Sequence, residues 1–112
     1  MKRTGLLLIC GIFAVVLATS ARVSLGTLSG TVLDAKGAPA AGASVTIQTS
    51  DGVHPRATFA DKSGHFEFTR WPTGQYDLRA TSGKMMSPWM KRIMIRSNKN
   101  TEVTLHLTEK LP

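Results

Sequence analysis

The chain has 112 residues, with 14 Lys or Arg against 7 Asp or Glu, one cysteine and a formal charge of +7. That length admits one domain at most. A lone cysteine excludes both a disulfide scaffold and a paired-cysteine metal site, and the basic balance points to anionic partners.

Lys2 and Arg3 form a short positive start, followed by an almost wholly apolar run from Leu6 to Leu17. This run has the length of a signal-peptide core and is too short to cross a bilayer comfortably. Small residues follow at Ala18, Thr19, Ser20 and Ala21, as a signal peptidase requires. The expected division is a signal peptide over 1–21, helical within its apolar run, then a linker over 22–26 and a single domain over 27–110. Cys10 lies inside the apolar run behind Ile9, where a lipid-attachment motif would carry a small residue, and cleavage removes it. The leader also takes two basic residues and no acidic one, leaving +5 on the mature chain. Export to the periplasm or the extracellular space is expected, which makes nucleic acid a poor partner. A membrane enters only through the leader, were it retained as an anchor.

Beyond Thr27 the chain reads as short alternating segments separated by Gly, Pro and Asp clusters. Leu28, Gly30 and Val32 alternate with Ser29 and Thr31, and Asp34, Gly37 and Pro39 then make a turn. Gly42 precedes a second strand, in which Ala43, Val45 and Ile47 alternate with Ser44, Thr46 and Gln48. Residues 56–61 and 64–69 are expected to form a hairpin across Asp61, Lys62, Ser63 and Gly64, with Phe66 and Phe68 facing the core. Trp71, Pro72, Thr73 and Gly74 form a corner. Tyr76, Leu78 and Ala80 then point inward, and Gln75, Asp77 and Arg79 outward. Ile93 and Ile95 mark a sixth strand, and Val103, Leu105 and Leu107 a seventh.

Seven short strands in so small a domain predict an all-β, antiparallel sandwich, because one flat sheet could not hide its apolar face. Four motifs support a closer identification: residues 30–34 with Gly37 and Pro39, residues 42–45, residues 61–66, and residues 71–78. Together they resemble the carboxypeptidase regulatory-like domains. That resemblance implies a transthyretin-like (prealbumin-like) sandwich, grouped with carbohydrate-binding-like folds, that serves as an accessory, structural or ligand-presenting module. It brings no catalytic motif and no cofactor. In that pattern Gly30, Asp34, Gly37, Pro39, Gly42, Asp61, Gly64, Pro72 and Gly74 are residues that define turns and close approaches.

No nucleophile elbow, zinc-binding helix or convergent carboxylate pair is legible, so an enzyme is not expected. The strongest local anomaly is residues 84–99, which hold Lys84, Lys91, Arg92, Arg96 and Lys99 and no acid. With Arg79, these predict a basic face for an anionic envelope polymer or a protein partner. A bland solvated surface is the competing reading. Trp89 is a candidate contact for carbohydrate, the second functional reading. Met85, Met86 and Met90, with Met94 nearby, raise a third, periplasmic copper handling, because thioethers favour Cu(I). Packing is the simpler role for them.

Overall fold

Residues that alternate between apolar and hydroxyl-bearing side chains fold as β1, Leu25–Leu33, in the computed structural model, which describes residues 23–112. The strands that follow are β2 (Ser44–Thr49), β3 (Arg56–Phe59), β4 (His65–Pro72), β5 (Gly74–Ser82), β6 (Met85–Met86), β7 (Met90–Ile95), β8 (Asn100–His106) and β9 (Glu109–Lys110). The expected signal segment lies outside the described residues. β1 begins inside the stretch read as a linker, because Leu25 and Gly26 pair with Pro72 and Trp71 of β4.

The nine strands form two sheets, one in the order β4-β1-β8 and the other β3-β2-β5-β6-β9, with β7 also paired to β5. Two features depart from the seven-stranded antiparallel expectation. β6 and β9 are two-residue strands paired with each other, too short to show any alternation. β8 lies parallel to β1, from Thr27↔Asn100 to Leu33↔His106, since the chain returns from the other sheet before entering it.

The expected hairpin over residues 56–69 is also corrected. β3 pairs with β2, whereas β4 pairs with β1, so the turn at Asp61 carries the chain from one sheet to the other. Its local chemistry is as expected. The Asp61 carboxylate accepts the N–H groups of Ser63 at 2.9 Å and His65 at 3.0 Å, and Gly64 takes a φ of 78°. Asp34 acts in the same way, accepting from Lys36 and Ala38.

The core lies between the sheets. Leu28, Val32, Phe66, Phe68 and Leu105 on one side meet Val45, Ile47, Tyr76, Leu78, Ala80 and Ile95 on the other. A Cβ at Gly30 would fall 2.2 Å from the Val103 carbonyl oxygen and 2.8 Å from the Phe66 ring. Only hydrogen fits between these neighbours, which gives the glycine of the first strand its physical reason. Trp71 closes the edge of the core with its ring centroid 5.1 Å from that of Phe68, and the Tyr76 hydroxyl donates to the Pro72 carbonyl at 2.7 Å. Those two contacts lock the corner between β4 and β5.

Candidate functional site

Asp77, expected to point into solvent, is only 4% exposed. The cause is a slip in the β5–β7 pairing: Tyr76 faces Ile93 and Leu78 faces Met90, so Lys91 and Arg92 both stand opposite Asp77. Arg92 adopts a φ of 59° at this bulge. Its N–H donates to Asp77 Oδ1 at 3.0 Å, and the Ser50 hydroxyl donates to the same oxygen at 3.1 Å. Lys91 Nζ stands 3.9 Å from Oδ2, the one ion pair among the described residues. A carboxylate taken out of water needs such partners, and here they hold the bulge in shape.

The bulge sets the start of a groove of about 470 Å³ lined by Arg92, Met94, Arg96, Lys99, Asn100 and Thr101, with Ile93 at its side. The turn between β7 and β8 is tied down. Lys99 N–H donates to the Arg96 carbonyl at 3.2 Å, Asn98 N–H to Leu25 at 2.9 Å, and Thr27 N–H to the Lys99 carbonyl at 2.9 Å. The Thr101 hydroxyl donates to the Met94 carbonyl at 2.8 Å. Three cations thus line one groove with no carboxylate among the lining side chains. Their attraction for an anion is summed.

The remaining basic residues read from the sequence do not gather there. Lys91 is drawn to Asp77, and Lys84 lies in the turn between β5 and β6, where its carbonyl accepts the N–H of Leu111 at 2.8 Å. Arg79 stacks its guanidinium 4.6 Å from the centre of the Trp89 ring. The half-buried Trp89 and Met90 border a groove of about 300 Å³ with Thr104 and His106, whereas Met85 borders another, of about 450 Å³, beside Asp34 and Leu107. Met85 and Met90 also pack on the core. They line separate grooves, and among the described residues no group of three or more His, Cys, Asp or Glu is placed to hold a metal ion.

Arg70 was not singled out from the sequence, yet it borders a groove of about 370 Å³, next to that of Arg92 and Arg96, together with Asn98, Lys99 and Asn100. The two grooves share Lys99 and Asn100. Arg70 stands 22 residues or more from the Arg92–Lys99 segment, and only the pairing of β4 with β1 brings it near. Its φ of 54° has no clear sequence signal.

Two sheets closed over an apolar core, with grooves set along their connecting turns, define a small all-β sandwich module. The model of the carboxypeptidase regulatory-like domain matches residues 27–108, and the chain belongs to that family. Among solved structures the chain is similar to the minor pilin of Streptococcus agalactiae, with a TM-score of 0.64 and 21% identity, over 80% of this chain and 48% of that one. It is also similar to a protein from Bacteroides uniformis provisionally described as carbohydrate-binding, with a TM-score of 0.53 and 14% identity, over 70% and 40% of the two chains. A third likeness is to catechol 1,2-dioxygenase of Pseudomonas arvilla, with a TM-score of 0.56 and 10% identity, over 82% and 55%. The chain spans about half the length of these proteins or less, and at such identities the likeness is one of fold. No curated protein matches the chain.

Proposed function

We propose that the chain is an exported, non-catalytic module that holds an anionic envelope polymer in the groove formed by Arg92, Arg96 and Lys99. The observation that carries this reading is the convergence of three cations on one groove that no carboxylate lines. Export is supported by the basic start and apolar run of residues 2–17. A binding or structural role agrees with the family and with the likeness to a pilin.

Titration of the full chain with long-chain polyphosphate and with polygalacturonate tests it. Affinity should fall at least tenfold between about 0.1 M and 1 M salt, over which the screening length shrinks from ~10 Å to ~3 Å. The Arg92→Asn, Arg96→Gln, Lys99→Gln triple variant should show the same loss at low salt. Binding that ignores both salt and these substitutions would sink the proposal.

A neutral-glycan site at Trp89 is the second reading. It agrees with the likeness to the Bacteroides protein, but the Arg79 guanidinium already covers one face of the ring. Loss of neutral-glycan binding in Trp89→Ala would favour it. Copper handling ranks below both, because Met85 and Met90 border different grooves. A Cu(I) titration without a high-affinity site would remove it.

A further inference from the structure

Another recess, of about 470 Å³, opens where β3, β4 and β5 meet, and of the cations assigned to the grooves it carries only Arg70. Its apolar walls are Trp71, Pro72 and Tyr76, and His54, Arg56 and Arg70 are disposed around them. No acidic side chain lines it. Asp51, on the same loop as His54, is engaged by the Thr49 hydroxyl and stays outside the lining. Among the described residues neither arginine has an ion-pair partner, since Lys91–Asp77 is the one pair present.

The recess is built rather than incidental. Trp71 is fixed by its edge contact with Phe68, and Tyr76 by its hydroxyl bond to Pro72. The loop bearing His54 is cinched onto Thr49, whose N–H and hydroxyl both donate to the Val53 carbonyl, at 3.0 Å and 2.9 Å. His54 and Arg70 both hold left-handed backbone, with φ of 55° and 54°. Left-handed conformations are uncommon outside glycine, and two on one recess mark it as a site where geometry is held by its surroundings. Arg70 borders both this recess and the groove that contains Lys99, which in turn joins the Arg92–Arg96 groove. The three therefore form one cationic track ending in an aromatic recess.

We infer that this recess is a subsite for one uronate ring of an acidic polysaccharide whose neighbouring residues run along the track. The inference rests on the anionic-polymer reading and names its chemical class. Planar guanidinium groups pair with carboxylates through two parallel N–H bonds, and the indole and proline surfaces, backed by the buried Tyr76 ring, suit the apolar face of a sugar ring. A chain of phosphates would satisfy the cations but offers nothing to the aromatic walls.

The test compares a short oligogalacturonate with polyphosphate of matched charge, both titrated into the full chain. In the Arg56→Gln variant, which changes a side chain that borders the recess and neither groove, affinity for oligogalacturonate should drop about tenfold while that for polyphosphate stays within about threefold. Oligogalacturonate should also shift the indole N–H resonance of Trp71, assigned through Trp71→Phe, and neutral oligogalactose should not. Equal losses for both polymers, no loss for either, or a Trp71 resonance that is indifferent to the uronate would overturn the inference. Each of these leaves the Arg92, Arg96 and Lys99 test of the groove itself intact, so failure of the subsite and failure of the groove are separable.

Discussion

The Arg92 backbone N–H donates to the buried Asp77 carboxylate at 3.0 Å, across a pairing slip that puts two residues of β7 against one of β5. The bond fixes a left-handed residue at the mouth of the cationic groove. The fold and the proposed binding groove therefore meet at Asp77.

Removing that carboxylate should be felt twice. Asp77→Ala leaves the Arg92 N–H and the Ser50 hydroxyl without their acceptor, at a cost of about 1–3 kcal/mol in denaturant unfolding. Asp77→Asn keeps an acceptor oxygen and should cost less. Lys91→Ala should change stability by no more than ~1 kcal/mol, since its amine is exposed and 3.9 Å away.

Glycines on the two kinds of position should respond differently to alanine. At Gly30 the added methyl meets the Val103 carbonyl and the Phe66 ring, so overpacking of about 1–3 kcal/mol or more is expected. At Gly37 nothing lies in its path and the penalty is the left-handed backbone alone, about 1–2 kcal/mol. Melting temperatures of the two variants should rank Gly30→Ala as the less stable.

Tyr76→Phe deletes the hydroxyl bond to Pro72 and should cost about 1 kcal/mol, read as a shifted denaturation midpoint. Burial raises the Tyr76 pKa above 10.0. The folded state thus disfavours phenolate, so this group's contribution is fully present below pH ~10 and is lost as pH rises through the elevated folded value. The phenylalanine variant should lack that alkaline loss.

Asp61 provides the opposite sign. The His65 N–H, followed by the Ser63 N–H, holds its pKa below 3.8. Its contribution is present above the ordinary carboxylate pKa and is lost as pH falls through the lowered folded one. Asp61→Asn should flatten the acid limb of the stability profile below pH ~4 while changing the neutral-pH binding of polymer little.

Much of the fold was legible because its causes are local. Asp61 before Gly64 specifies a turn through bonds spanning four residues, and the inward Tyr76, Leu78 and Ala80 follow from the two-residue period of a strand. The candidate site was legible only in part. Arg92, Arg96 and Lys99 were visible as an acid-free run, and they do converge. Lys84 and Lys91 belong to the same run but are held elsewhere, because charge in sequence carries no direction in space.

By itself the sequence determined the all-β class, the turn chemistry, the membership of the core and the excess of positive charge. All of these depend on residue type and short-range periodicity. Only the tertiary structure decided which sheet each strand joins, that β8 runs parallel to β1, and that Asp77 is buried by a one-residue slip. It alone set Arg70 between the Lys99 groove and the Trp71 recess. Such choices depend on pairing between distant segments, where competing registers differ by the packing of the whole core and not by any property of a short stretch.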